Sequence, residues 1–262
     1  MSKEKLNHRG VELLQALERL GGSARSADLA QVLEVSGETV RRTIAALSKA
    51  GQVRRVHGGV LLHPGQAVGR DFGARLGEST QEKRSVAQRI ARDVEDGMTL
   101  FLDVSTTTSF VVEHLGALSH LTVVTNALRI GQALANRNDN RVHLLGGEVS
   151  ERDNGTFGAQ TQSQAERFAY DLAIFGVDGV SPQQGYLYHN ADEAALAAVV
   201  AEAAAQVLVG VTGEKFSRSA PYKGMRPQSV QRLIADVAPP PAMAAALAGW
   251  GTGFALCPVP QG

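Results

Sequence analysis

Apolar and polar positions in the first sixty residues predict a compact set of short helices. Apolar side chains recur at helical spacing over residues 5–20, and the two glycines at 21 and 22 end that pattern. A second helix is expected directly afterwards, with Ser26 as its N-cap. The tight turn at residues 34–36 then leads into a third helix with Ser36 as N-cap. Two short helices joined by so tight a turn are typical of a helix-turn-helix.

The third helix has one apolar face and one polar face. Val40, Ile44 and Leu47 recur at helical spacing and are expected to be buried. A recognition helix of this kind presents its N-terminal residues to base edges in the major groove of DNA. The candidate DNA contacts of this segment are Ser36, Thr39, Arg41 and Arg42.

Two short strands are expected after this helix. Residues 52–56 and 57–62 have the alternation of a β-hairpin, which would form a wing beside the helix-turn-helix. Arg54, Arg55 and His57 lie near its expected tip, where basic side chains contact phosphates. The pattern therefore predicts a winged helix-turn-helix over residues 1–63.

Beyond this domain the pattern changes to alternating strands and helices. Residues 64–78 begin with the turn-rich composition of a linker, and residues 79–262 are expected to form a second domain. Its first helix is expected over residues 80–94, with Ser79 and Glu82 forming a capping box. Strands are predicted at residues 98–103, 121–125, 141–145, 171–175 and 207–211, with helices at 127–135 and 192–204. This alternation predicts an α/β fold with a mostly parallel sheet covered on both faces.

Polar residues follow several of these strands, where ligands bind in open α/β sheets. Hydroxyl groups and free amides at a helix N-terminus suit an anion such as phosphate, and Asp and Asn side chains bond sugar hydroxyls. The candidate effector-binding residues are Asp103, Ser105, Thr106, Thr107, Thr108, Thr125, Asn126, Gly146, Gly147, Asp178, Glu193 and Lys215. Together they would enclose a polyhydroxylated phosphate ester.

The charge distribution adds to this picture. The chain has no net charge, but residues 1–63 hold ten basic and six acidic residues, a net charge of +4, which leaves −4 on the remainder. A basic N-terminal domain attached to an acidic remainder favours nucleic acid as the partner of the N-terminal domain. No signal peptide or membrane span is recognisable, so a cytoplasmic location is expected. The single cysteine and seven dispersed histidines predict neither a metal site nor a disulfide, and no cofactor motif is present.

The string VSGETVRRTIAALSKAGQVRRVHGGV resembles the signature of the DeoR family of transcriptional repressors. The family's aspartate in this signature is replaced by Thr43. The resemblance covers about residues 5–235 and extends to Asp103 with its threonines, and to Lys215-Phe216. Ser105 stands where the family's hydroxyl loop begins with glycine, and Thr212 where an aspartate precedes the lysine by three positions.

The resemblance implies a repressor of a carbohydrate or polyol operon that responds to a phosphorylated sugar. Its partners would be double-stranded operator DNA, a sugar or polyol phosphate, and further copies of the chain in a homodimer or homotetramer. It also implies a sensor domain related in fold to ribose-5-phosphate isomerase and CoA-transferase-like proteins. Two alternatives remain at this point: an isomerase-like enzyme using Asp103, Glu193 or Lys215, and a transcriptional activator of the same architecture.

Overall fold

A computed structural model describes residues 8–19, 23–56, 59–62, 72–150 and 152–259. Its contacts divide the chain into two compact units. The first comprises Met1–Gly69 with Arg218–Pro221, and the second comprises Arg70–Ser217 with Tyr222–Gly262. None of the helices in the described ranges is both long enough and apolar enough to cross a membrane.

The first unit is a winged helix-turn-helix. Its elements in chain order are α1 (His8–Arg19), β1 (Ser23–Arg25), α2 (Ser26–Val32), α3 (Gly37–Lys49), β2 (Val53–Val56) and β3 (Gly59–Leu62). The three helices and the sheet share one apolar core. Val40, Ile44 and Leu47 of α3 are buried in it, as the sequence pattern predicts. Ser36 caps α3 by accepting a hydrogen bond from the Thr39 amide at 3.2 Å, which confirms its predicted role.

Two features of this unit differ from the prediction. Ser26 is the first residue of α2 and not its cap, because the extended Arg25 of β1 leads directly into the helix and makes no side-chain cap bond. Strand β1 itself was not predicted, and it pairs antiparallel with β3 to extend the hairpin to three strands in the order β1-β3-β2. Gly59 permits this pairing, since a Cβ there would lie 2.5 Å from the Ala24 carbonyl oxygen.

The second unit is an α/β domain. Its helices are α4 (Phe72–Gly77), α5 (Thr80–Ala91), α6 (Thr106–Val111), α7 (Leu128–Leu134), α8 (Ala159–Ala165), α9 (Ala191–Ala203) and α10 (Pro241–Trp250), with 3-10 turns at Val112–His114, Gly213–Phe216 and Pro227–Ser229. Its strands are β4 (Thr99–Leu102), β5 (Thr122–Thr125), β6 (Arg141–Leu144), β7 (Glu148–Ser150), β8 (Gly155–Phe157), β9 (Tyr170–Phe175), β10 (Gly179–Ser181), β11 (Gly185–Tyr188), β12 (Ala204–Val211), β13 (Tyr222–Lys223), β14 (Arg232–Ala235) and β15 (Gly253–Leu256). The five strands predicted from the sequence correspond to β4, β5, β6, β9 and β12.

Seven strands form a fully parallel sheet in the order β15-β14-β12-β9-β4-β5-β6. One face is covered by α8, α9 and α10, and the other by α5, α6 and α7. The chain builds outward from β4 through β5 and β6, and then returns to the other side of β4 with β9. The connection after β4 leads to β5, and the connection after β9 leads to β12 on the opposite side. Such a reversal leaves a crevice beyond the carboxyl ends of β4 and β9.

Two expectations at the start of this unit are wrong. Residues 64–78 were predicted as a linker, but α4 occupies residues 72–77, and its buried Phe72 donates its amide to the Arg152 carbonyl at 2.9 Å. Ser79 and Glu82 form no capping box, because Ser79 has a left-handed backbone with φ 45° and makes no side-chain cap bond. The Thr80 hydroxyl instead donates to the Gly77 carbonyl at 3.2 Å.

Candidate functional site

Polar loops follow four neighbouring strands at one edge of the parallel sheet. In the order β12, β9, β4 and β5, these loops contain Lys215, Asp178, Asp103 and Asn126. Because the carboxyl ends of parallel strands meet at the same edge, the fold brings together residues that are up to 112 positions apart in the chain. This edge is the crevice at the reversal of strand order.

Asp103 is the central acceptor of this edge. One carboxylate oxygen accepts hydrogen bonds from the Ser105 amide at 3.1 Å and the Thr108 hydroxyl at 2.5 Å, and the other accepts from the Gly176 amide at 2.9 Å. Burial raises the pKa of Asp103 to about 6, although these three bonds favour its charged form. The carboxylate thus ties the loop after β4 to the loop after β9.

The hydroxyl loop divides into residues that hold its shape and residues that remain available. Ser105 caps α6 by accepting from the Thr108 amide at 3.0 Å, and its hydroxyl lies 2.7 Å from that of Thr108. Ser105 and Thr108 therefore maintain the loop. Within the described part of the chain, the hydroxyls of Thr106 and Thr107 have no hydrogen-bond partner, so they and the adjoining helix N-terminus are the groups suited to bind an anion.

Gly176 allows the two loops to approach closely. A Cβ at this position would lie 2.5 Å from Ser105 Cβ and would also contact Ser105 Oγ. Only glycine leaves room for the Gly176 amide to reach Asp103 while Ser105 caps α6.

Three basic residues add positive charge to the edge, and only Lys215 was predicted. Lys83, on α5, is 4% exposed, and its ammonium donates to the Arg75 carbonyl. Burial and the nearby Lys215 lower the pKa of Lys83 to about 8. The Arg75 guanidinium lies 3.1 Å from the Asp153 carboxylate and 3.9 Å from that of Asp178.

Asp178 is the acidic partner of this basic group. Burial opposes its ionisation, but His189, Lys215 and Arg75 outweigh burial and lower the pKa of Asp178. Its carboxylate accepts the His189 amide at 2.8 Å. Asp178 therefore remains ionised among the cations and fixes the start of the segment that leads into α9.

A small pocket lies beside Asp103. Asp103, Asn126, Tyr188 and Glu193 form its polar part, and the remaining wall is apolar. Burial raises the pKa of Glu193 well above its usual range, and the charges of Asp178 and Asp103 add to this effect. The prediction placed Asp103, Asn126 and Glu193 in one site, and the fold brings them to one pocket.

Two other predicted effector residues, Thr125 and Gly146, have polar groups engaged within the protein, and Gly147 lies in a tight turn. The Thr125 hydroxyl donates to the Leu102 carbonyl at 2.6 Å and accepts from the Ala127 amide at 3.0 Å. The Gly146 amide donates to the Gln164 side chain at 3.0 Å, and its carbonyl accepts from the Thr161 hydroxyl at 2.7 Å. Gly147 has φ 150°, and a Cβ there would lie 2.6 Å from the Phe157 carbonyl oxygen. These contacts shape the turns after β5 and β6.

Sequence reasoning missed Arg75, Lys83, Tyr188 and His189 at this edge. Arg75 lies in the segment assigned to the linker. Tyr188 is the last residue of β11, a strand that was not predicted, and His189 follows it. A signal for Lys83 was present. It falls at helical spacing with the buried residues Val86 and Ile90 of α5, where a lysine would be buried among apolar side chains.

The candidate DNA interface lies on α3. The hydroxyls of Ser36 and Thr39 lie 2.9 Å apart at the cap. Arg41 donates to the Gly37 carbonyl at 3.3 Å and lies 3.8 Å from the Glu38 carboxylate. Arg42 is exposed and has no side-chain partner within the described ranges, so it is the α3 arginine that can reach a base without breaking an intramolecular contact.

The wing presents two further arginines. Arg54 and Arg55 are exposed neighbours on β2, so their side chains leave opposite faces of the strand. One of the two can therefore face the same duplex as α3 without rearrangement. His57, the remaining predicted contact, lies outside the described residues.

The fold and site define a DNA-binding regulator with an α/β ligand-sensing unit. Residues 9–64 match the DeoR-like helix-turn-helix domain, and residues 78–237 match the DeoR C-terminal sensor domain. The chain belongs to the DeoR family of transcriptional repressors. The resemblance found in the sequence is confirmed.

Characterised relatives align over most of this chain. The glycerol-3-phosphate regulon repressor of Escherichia coli (strain K12) is 29% identical over 91% of this chain and 93% of its own length. The putative aga operon transcriptional repressor of E. coli O157:H7 is 27% identical over 88% and 86%, respectively. The HTH-type transcriptional repressor GlcR of Bacillus subtilis (strain 168) is 25% identical over 79% and 80%. The family and these relatives are transcriptional regulators rather than enzymes.

Solved structures with similarity to this chain include two other kinds of protein. Ribose 5-phosphate isomerase A from Methanocaldococcus jannaschii aligns over 51% of this chain and 53% of its own, with 16% identity and a TM-score of 0.37. The translation initiation factor eIF-2B from Pyrococcus horikoshii OT3 aligns over 82% of both chains, with 16% identity and a TM-score of 0.44.

Proposed function

We propose that the protein represses genes of carbohydrate or polyol catabolism, and that a phosphorylated sugar or polyol bound at the carboxyl edge of the sheet relieves repression. The observation that carries the sensing part is the buried cation Lys83 beside Lys215, at the edge that also holds the N-terminus of α6. Lys215 opposes the charging of Lys83, and a bound anion near both ammonium groups would offset this repulsion.

The chemistry of this edge suits a phosphate ester. A phosphate group would accept from the Thr106 and Thr107 hydroxyls and amides and would pair with Lys83 and Lys215. The polyhydroxylated part would then extend towards Asp103 and the pocket beside it. Thr108 and Ser105 would support this arrangement from behind, through their bonds to Asp103 and to each other.

Operator binding is assigned to α3 and the wing. Arg42 would read base edges, and one of the two wing arginines, Arg54 or Arg55, would contact phosphates. A single head covers one half-site, and two heads related by a twofold axis would cover a palindrome. The proposal therefore includes a homodimer or homotetramer of this chain.

Effector control requires a difference in affinity between two states. A sugar phosphate changes operator affinity only if it prefers one arrangement of the sensing units and their DNA-binding heads. The same coupling works in reverse, so operator DNA should weaken effector binding by the same factor.

The proposal is tested by measuring operator binding of the full chain with a DNA fragment from upstream of its own gene. Phosphorylated sugars and polyols are added, and effector binding is followed by thermal shift, because a ligand specific for the native state raises the melting temperature. Lys215→Met should retain operator binding and lose about 10- to 100-fold in effector affinity, the effect of one charge-assisted contact. Lys223→Met, at an exposed position on β13, is the matched control and should behave as wild type.

Other outcomes would identify the rival functions. Operator binding unaffected by every phosphorylated compound would contradict the sensing role. Turnover of a sugar phosphate by the purified protein would favour an isomerase-like enzyme that uses Asp103, Glu193 or Lys215. A reporter gene that loses expression when the regulator is deleted would identify an activator.

A further inference from the structure

The pocket beside Asp103 offers acceptors without matching donors. Asn126 is 1% exposed, and its side-chain nitrogen donates to the Thr156 carbonyl at 3.1 Å. Because a carbonyl only accepts, this bond fixes the orientation of the amide. The Asn126 side-chain oxygen is then a buried acceptor with no partner in the described part of the chain.

Glu193 is a second acceptor in the same pocket. It lies in the first turn of α9, and its carboxyl group makes no hydrogen bond or ion pair with any residue in the described ranges. Asp178, Asp103 and Asp153 surround it with negative charge, and among its strongest electrostatic neighbours only Arg75 is basic. Glu193 is partly buried, and a partly buried carboxyl group without a partner carries a desolvation cost that a bound hydrogen-bond donor would reduce.

Asp103 completes the acceptor surface. Its two oxygens receive three hydrogen bonds from the protein, whereas a carboxylate has about four acceptor positions. Tyr188 also lines the pocket, and its buried hydroxyl has no hydrogen-bond partner in the described structure. A hydroxyl group of a ligand could donate to Glu193 or Asn126 and accept from Tyr188. A carboxylate could not donate, and it would add negative charge beside two acidic side chains.

We propose that this pocket selects effectors whose end remote from the phosphate carries hydroxyl groups and rejects those with a carboxylate there, with Glu193 as the main determinant. The inference rests on the proposed sugar-phosphate function and narrows the effector class to phosphorylated polyols and neutral sugars, as opposed to phosphorylated sugar acids. The apolar remainder of the wall, which includes Phe101, Phe175 and Leu196, would exclude the water that a carboxylate needs.

The test uses ligand pairs that share the phosphate and differ in one group at the other end. Glycerol 3-phosphate is compared with 3-phosphoglycerate, and sorbitol 6-phosphate with 6-phosphogluconate, by calorimetric titration into the full chain. In any pair of which a member binds, the dissociation constant of the hydroxyl ligand should be at least about 100-fold lower than that of the carboxylate ligand. Discrimination of this kind is expected where buried polar groups would be left unpaired. Glu193→Gln should reduce this ratio to about tenfold or less, because the Gln amide is neutral and can donate at any pH, whereas Glu193 must take up a proton before it can donate to a carboxylate.

Glu202→Gln is the matched control. Glu202 lies on the same helix, is exposed, and pairs with Arg226 at 3.2 Å. This variant should keep the wild-type ratio. The ligand pairs also test the inference on the wild-type protein alone, so an unstable Glu193 variant would not prevent a decision.

The outcomes separate the two proposals. Equal or tighter binding of a carboxylate member overturns the selection, although sugar-phosphate sensing would stand. An unchanged ratio in folded Glu193→Gln overturns the assignment to Glu193. If neither these ligands nor any other phosphorylated carbohydrate binds, the proposed sensing function itself is contradicted, and the inference with it.

Discussion

Replacing Gly176 by alanine should damage the effector site and leave the DNA-binding unit intact. The added Cβ would lie 2.5 Å from Ser105 Cβ, whereas ordinary van der Waals contacts begin at 3.4 Å. The loops after β4 and β9 would have to separate by about 1 Å, and overpacking of this kind costs about 1–3 kcal/mol. For a unit of this size, that corresponds to a fall in melting temperature of roughly 2–12 °C.

The same displacement would weaken effector binding. It would lengthen the bond from the Gly176 amide to Asp103, now 2.9 Å, and would shift Ser105 away from the N-terminus of α6. A tenfold loss of affinity would remove about 1.4 kcal/mol of the stabilisation that saturating effector provides. The effector-induced rise in melting temperature should therefore shrink, while operator binding well below the melting temperature should be preserved.

Calorimetry or dye-based melting with and without effector measures both effects, and a gel-shift titration measures operator affinity. Gly249→Ala is the control, since no atom lies within 4 Å of a Cβ built there on α10. A Gly176→Ala protein with the stability and effector response of wild type would refute the close approach of the two loops.

Three further predictions follow from individual contacts. Arg42→Ala should weaken operator binding by about 1–3 kcal/mol and relax its sequence preference. Lys49→Ala in the last turn of α3 should weaken binding equally for all DNA sequences and reduce its salt dependence. Both are measured by gel shift at several salt concentrations, and an unchanged sequence preference in Arg42→Ala would exclude a base contact by Arg42. Because the pKa of Asp103 is raised from its usual 3.8 to about 6, its contribution to stability is fully present below about pH 4 and is lost as the pH rises to about 6. Relative to wild type, Asp103→Asn should therefore gain about 3 kcal/mol in free energy of unfolding between pH 4 and pH 7, measured by denaturant titration. If the difference in free energy of unfolding between variant and wild type did not change with pH, burial would not raise the pKa of Asp103. Gly59→Ala should place a methyl group 2.5 Å from the Ala24 carbonyl oxygen and break the pairing of β1 with β3. Both the melting temperature and the operator affinity should fall. A variant with wild-type values of both would contradict this pairing.

The amino-acid sequence by itself determined the elements whose signals are local. The apolar stripe of α3 and its Ser36 cap follow from local spacing, and the structure confirms both. It also confirms the five predicted strands; four of them contain short buried apolar runs, whereas β6 is largely exposed. The family could be identified from one string because its residues lie next to each other along the chain. Short or edge elements such as β1 and β15 lacked such a signal, since three or four residues carry little periodicity and their pairing depends on distant partners.

Only the tertiary structure decided which polar residues are available to a ligand. Ser105, Thr106, Thr107 and Thr108 look equivalent in the sequence. Ser105 and Thr108 hold the loop through their bonds to each other and to Asp103, whereas the hydroxyls of Thr106 and Thr107 have no partner among the described residues. Gly146, after β6, and Thr125, at the end of β5, form hydrogen bonds within the protein that the sequence does not reveal. Hydrogen bonds and charges act over a few ångströms in space, and the folded sheet, not the order of residues, sets those distances.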